Sequence, residues 1–230
     1  MKTIGLLGGM SWESTSLYYS KINNLVKERM GGLHSAKIIL NSVDFAEIEA
    51  LQHQGNWQKT AEILTDCACG VEKAGADFLL ICTNTMHKVA PQIENQISIP
   101  LLHIGDATGS RLKHDSHSCV GLLGTKFTME EEFYKDRIIS NHGIDVVIPN
   151  ETQRKIVHNV IYKELCQGKI LAESKQQYLE IINDLTKLGA QAVILGCTEI
   201  ALLVKQPDTD VPLYDTTAIH AEESVRIALR

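Results

Sequence analysis

The chain has 230 residues, 44% hydrophobic, 22% charged and 5% aromatic, with a net charge of −6 and a pI near 5.8. This is the composition of an ordinary globular protein. The acidic balance argues against a nucleic-acid surface, and no stretch approaches the roughly 18 uninterrupted apolar residues of a membrane span. A secretory leader is not expected, because the apolar start Ile4–Leu7 is short and Trp12-Glu13 follows without a small-residue cleavage pattern. In chain order, Thr3–Leu7, Lys37–Asn41, Asp77–Ile81 and Pro100–His103 read as buried strands. Between them, Ser11–Arg29 reads as a helix with Tyr18, Ile22, Leu25 and Val26 on one face. Lys59–Lys73 reads as another, with Leu64, Cys67, Ala68 and Val71 in a stripe. Further strands follow near Ser118–Leu123, Asp145–Ile148, Gln191–Leu195 and Val211–Tyr214, with helices over Met129–Ser140, Glu151–Gln167 and Glu173–Leu188. Strand–helix alternation with continuous apolar strands predicts an α/β protein of parallel sheets covered by helices on both faces.

The chain states one pattern twice. Gly75-Ala76 leads an apolar run into Cys82-Thr83-Asn84-Thr85, and Gly189-Ala190 leads another into Gly196-Cys197-Thr198-Glu199, 114 residues later. Gly5-Leu6-Leu7-Gly8 recurs as Gly121-Leu122-Leu123-Gly124, and Ile99-Pro100-Leu101 as Val211-Pro212-Leu213. The expectation is two pseudo-symmetric domains of about 110 residues. Residues 1–100 plus 210–230 would form the N-terminal one and 101–209 the C-terminal one, with short crossings near Pro100–Thr108 and Lys205–Pro212. A ligand belongs at the carboxyl ends of such strands, where Gly8-Gly9, Thr83, Gly124 and Cys197 fall.

Six cysteines without a Cys-x-x-Cys pair suit a reducing cytoplasm. His114, His117 and Cys119 are the densest metal-like cluster, but they lie in a polar turn and no metal is expected there. Gly5–Gly9 lacks dinucleotide spacing, and no phosphate-binding loop motif is present. Cys197 follows a strand and precedes a predicted helix, so the helix dipole is expected to lower its pKa and favour thiolate. Asn84-Thr85 and Thr198-Glu199 would begin helices whose free N–H groups suit a carboxylate. Each pair would serve equally well as simple caps.

Leu80-Ile81-Cys82-Thr83-Asn84-Thr85-Met86-His87 and Ile194-Leu195-Gly196-Cys197-Thr198-Glu199-Ile200 resemble the two motifs of the cofactor-independent aspartate/glutamate racemases. Gly8-Gly9-Met10-Ser11, Ser42-Val43-Asp44-Phe45 and Gly121–Thr125 are similar to further family landmarks. The resemblance implies two flavodoxin-like domains with the active site in the cleft between them, often in a homodimer. It also implies PLP-independent racemisation of aspartate or glutamate, producing the D-amino acid without cofactor or metal. Two cysteines on opposite faces of the substrate Cα carry the reaction in the family. Cys197 matches the second. At the first, both Asn84-Thr85-x-His87 and the internal repeat point to Thr83, while Cys82 lies one residue early. Strand alternation sets those two side chains on opposite faces, so Thr83 is the expected cleft residue unless a bulge turns Cys82.

The resemblance assigns Asn84, Thr85 and Thr198 to the substrate's carboxylate and amino groups, with Met10, Gln52 and Thr125 as pocket residues. Lys163 is a candidate for a distal carboxylate, Glu199 and Asp44 for the ammonium group or for tuning Cys197, and His87 for a structural role. The departure at Thr83 leaves open a single-cysteine isomerase or decarboxylase of the same superfamily, or a non-catalytic small-molecule sensor.

Overall fold

A computed structural model describes residues 1–230, which divide into two compact units, Met1–Ile104 with His220–Arg230, and Gly105–Ile219. The first unit opens with strand β1 (Ile4–Gly8), helix α1 (Trp12–Met30), β2 (Ile38–Ser42), α2 (Phe45–His53), α3 (Trp57–Lys73) and β3 (Phe78–Ile81). A 3-10 turn, Thr85–Val89, and α4 (Ala90–Glu94) follow, and α5 (Ile104–His114) leads into the second unit. The second unit continues with β4 (Cys119–Gly124), α6 (Lys126–Glu130), α7 (Glu132–His142), β5 (Asp145–Val147), α8 (Glu151–Lys163) and a 3-10 turn, Leu165–Gln167. Then come α9 (Ala172–Lys187), β6 (Val193–Gly196), α10 (Ile200–Leu203), the 3-10 turn Gln206–Asp208, β7 (Leu213–Asp215) and α11 (Thr216–Ala228).

Both sheets are wholly parallel, ordered β2-β1-β3 and β5-β4-β6-β7. The registers repeat as the sequence does: Leu7 stands opposite Ile81 in the first sheet, and Leu123 opposite Leu195 in the second. In the first unit the period-2 alternation sorts the strand residues onto two faces. Leu7, Leu79 and Ile81 pack with Ile48, Leu64, Ala68 and Val71 on one side. Ile4, Leu6, Phe78, Leu80 and Cys82 pack with Tyr18, Ile22 and Val26 of α1 and with Ala221, Val225 and Ala228 of α11 on the other.

The strand expected at Pro100–His103 is reduced to one bridge, Leu79 to Leu101. Its hydrogen bonds are Leu79 N to Pro100 O and Leu102 N to Leu79 O; the next carbonyl, Leu102 O, accepts from His220 Nε2 at 2.8 Å. The return to the first unit falls at His220 rather than near 210, because β7 pairs with β6 and belongs to the second sheet. The helix expected over Met129–Ser140 is two, α6 and α7, separated at Glu131, whose backbone is extended (φ −86°, ψ 156°). The Glu151–Gln167 helix likewise gives way to the 3-10 turn after Lys163. The crossing near Pro100–Thr108 contains the start of α5, where Asp106 accepts a two-pronged hydrogen bond from Arg137. No helix is long and apolar enough to cross a membrane.

Candidate active site

Most of the residues in question follow the carboxyl ends of two neighbouring strands in each unit, β1 and β3 in the first and β4 and β6 in the second. In the first, Gly9 turns the chain out of β1 with φ +92°, and a Cβ there would lie 2.2 Å from Val43 O. Only glycine lets this turn pass so close to the end of β2. Gly9 N donates to Thr15 Oγ1 at 2.8 Å, and Met10 is buried in the core that holds Met86 and Ile81. Gln52, near the end of α2, and Asn84 and Thr85, after β3, are also buried. Asp44 is an exposed N-cap of α2, accepting from Ala46 N; the capping role is the one the fold gives it.

The end of β3 separates Cys82 from Thr83. Cys82 is fully buried, with its side chain among Leu6, Tyr18 and Leu80, and burial pushes its thiol far above the usual range. Thr83 is half-buried. No bulge turns Cys82 outward: its N–H continues the ladder to Leu7 O at 2.9 Å. Ser14 Oγ donates to Cys82 O at 2.9 Å, and the His87 ring lies 2.8 Å from Thr83 O.

In the second unit, Thr125 caps α6, its hydroxyl accepting from Thr128 N. After β6, Cys197 is half-buried and Thr198 and Glu199 are buried. The Cys197 thiol donates to Glu199 Oε2 at 2.9 Å. This overturns the expected low thiol pKa. The helix that follows, α10, is a single turn, too short for a substantial dipole. Against it stand burial, first, then the charges of Glu199 and Cys166 and the hydrogen bond to Glu199; together they raise the thiol well above its ordinary value. The resting group is therefore a thiol, hydrogen-bonded to the Glu199 side chain. The helices expected after Thr83 and Cys197 are a 3-10 turn, Thr85–Val89, and the single turn of α10.

Lys163 is exposed at the end of α8, and the turn after it packs against α10. His114 and His117 are engaged with Asp115 and Tyr214, and no group of His, Cys, Asp or Glu side chains is arranged to hold a metal ion. Ser14 and His220 were not anticipated. The signal for Ser14 lies in its spacing: 14, 18 and 22 form one helical face, so a serine there is buried with Tyr18 and Ile22 and must find a hydrogen-bond partner.

The Asp/Glu/hydantoin racemase family model matches residues 7–224. A solved structure from Yersinia pestis, described as that of a candidate Asp/Glu racemase, superposes with a TM-score of 0.95 at 52% identity over 100% of both chains. That of an aspartate racemase homologue from Pyrococcus horikoshii OT3 gives 0.88 at 31% identity, again over 100% of both chains. The broad specificity amino-acid racemase RacX of Bacillus subtilis (strain 168) is 22% identical over 227 residues, 96% of each chain. The repeated strand ends, one bearing Thr83 and the other Cys197 beside its carboxylate, thus sit in a chain that belongs to the Asp/Glu/hydantoin racemase family.

Proposed function

We propose that this amino-acid racemase interconverts the L and D forms of aspartate or glutamate without pyridoxal phosphate or metal, using Cys197 and Thr83 as the groups on opposite faces of the substrate Cα. The observation that carries the reading is the Cys197 thiol donating to Glu199 at the position equivalent, in the internal repeat, to Thr83. Glu199 takes the thiol proton. The thiolate removes the Cα proton, leaving the electron pair on a carbanion delocalised into the substrate carboxylate. The Thr83 hydroxyl, or water held by it, delivers a proton to the opposite face and is reprotonated from solvent, while Glu199 releases its proton to solvent and restores the resting state. A thiolate whose conjugate acid is weak is a strong base, so the high thiol pKa serves the abstraction step once Glu199 has accepted the proton. In the reverse direction the same groups exchange roles.

Asn84, Thr85 and Thr198 would hold the α-carboxylate and amino group, Met10, Gln52 and Thr125 would shape the pocket, and Lys163 would pair with a distal carboxylate. A cytoplasmic homodimer is the assembly and location that fit this reading. A chiral chromatography screen of the twenty amino acids, with no added cofactor, tests it. Racemisation of aspartate or glutamate, driven to equal amounts from either enantiomer, is the expected result. Turnover confined to another substrate class would assign the site to the related isomerases or decarboxylases, and binding without α-proton exchange would assign it to a sensor.

A further inference from the structure

Thr83 must aim a hydroxyl at a carbon, yet it stands beyond the last residue of β3, where the ladder no longer fixes it. The chain compensates with two side chains. The carbonyl of the peptide before Thr83, Cys82 O, accepts from Ser14 Oγ at 2.9 Å. The carbonyl of the peptide after it, Thr83 O, lies 2.8 Å from His87 Nδ1. The backbone also fixes the ring's tautomer. Ile104 N–H can only donate, and it reaches His87 Nε2 at 3.2 Å, so Nε2 is the acceptor and Nδ1 carries the proton that goes to Thr83 O. Both peptide planes flanking Thr83 are thereby held, and with them the direction of its Cα–Cβ bond. Ser14 and His87 are themselves buried, so neither bond competes with bulk water.

We infer that Ser14 and His87 are positioning residues for the Thr83 hydroxyl, acting through the two carbonyls that bracket it. The inference rests on the reading of Thr83 as the second acid/base group. His87 touches no reacting atom. It converts the Asn84–Val89 segment, which would otherwise follow the strand loosely, into a clamp tied at its far side to the Ile104 backbone.

The consequence is a change in partitioning. After Cys197 takes the Cα proton, the carbanion is either reprotonated by Thr83, which inverts it, or by Cys197 after its S–H has exchanged with solvent, which does not. The test follows both in D₂O with purified enzyme and each enantiomer of aspartate and of glutamate. NMR measures deuterium at Cα of the remaining starting enantiomer, and chiral chromatography measures inversion. Ser14→Ala, His87→Ala and His87→Gln should raise the ratio of deuterium wash-in to inversion about tenfold or more, for the enantiomer that Cys197 deprotonates. His87→Gln places its amide near the Nε2 position and loses the donor to Thr83 O, whereas His87→Asn keeps a donor near Nδ1 and should stay close to the wild-type ratio. Because the ratio is a property of each turnover, a smaller folded fraction does not move it. If His87→Ala does not fold, Ser14→Ala and His87→Gln carry the measurement.

Folded variants that all keep the wild-type ratio overturn the inference, as does an Asn variant that behaves like Gln. Thr83→Ala separates this from failure of the underlying reading. If it inverts substrate as fast as wild type, Thr83 is not the acid/base group; if it stops inverting while Ser14 and His87 variants partition normally, only the positioning role falls.

Discussion

The ends of β3 and β6 are the same place in two copies of one fold, and they solve opposite problems. At β6 the Cys197 thiol donates to Glu199 at 2.9 Å, and on the proposed reading Glu199 takes its proton. At β3, Thr83 has a weakly acidic hydroxyl, and the surrounding bonds go to its flanking carbonyls instead. On the proposed reading, one site adjusts chemistry and the other fixes geometry. A duplicated scaffold can thus keep its register while the two half-sites diverge in what their neighbours do.

The largest expected effect breaks the β6 side: Cys197→Ser should lower racemisation by about 10³-fold in a chiral assay, since a weakly acidic alcohol replaces the thiol proposed as the base. Next, Glu199→Gln should lower kcat by about 10²-fold by removing the proton acceptor. With no internal acceptor the thiol must lose its proton to solvent, and burial holds it above its ordinary value, so kcat/KM of this variant should gain a limb that rises into the alkaline range. In the wild type the thiol proton passes to Glu199, so kcat/KM should show no such alkaline rise.

Smaller effects sharpen the β3 side. Cys82→Ala should leave kcat/KM of the folded enzyme unchanged and cost about 1–2 kcal/mol in denaturant unfolding, because that sulfur lies wholly in the core. The smallest concerns pH. His220 accepts from Tyr18 OH at Nδ1 and donates from Nε2 to Leu102 O, and burial pushes its pKa down to about 4. Between the unfolded value, about 6.5, and about 4 the unfolded chain binds the extra proton, so stability holds above that window and falls as pH drops through it. Urea unfolding at pH 7 and pH 5 measures the difference. Tyr18→Phe should cost about 1–3 kcal/mol by stranding the ring nitrogen.

Much of this was legible in the sequence, and the rest was hidden for physical reasons. The repeat fixed the register that pairs Thr83 with Cys197, and strand alternation separated Thr83 from Cys82, because both depend on periods written along the chain. Helix α5 was masked by Gly105 and Gly109, poor helix formers. Gly109 is required by packing, since a Cβ there would lie 2.2 Å from the His142 ring. The direction of the Cys197 shift was misread because the fold buries the sulfur, the Glu199 side chain folds back onto it, and the following helix stops after one turn. None of these is a matter of residue spacing. The Ser14 and His87 bonds join residues to carbonyls that carry no side-chain signature.

The most direct measurement follows early turnover in D₂O with each enantiomer of aspartate and of glutamate, comparing deuterium at Cα in product and in recovered substrate. Two groups on opposite faces predict product that is deuterated while the starting enantiomer stays largely protiated, with this pattern lost in both Cys197→Ser and Thr83→Ala. Deuterium appearing in the starting enantiomer as fast as in product, or racemisation that survives loss of either side chain, would contradict the account.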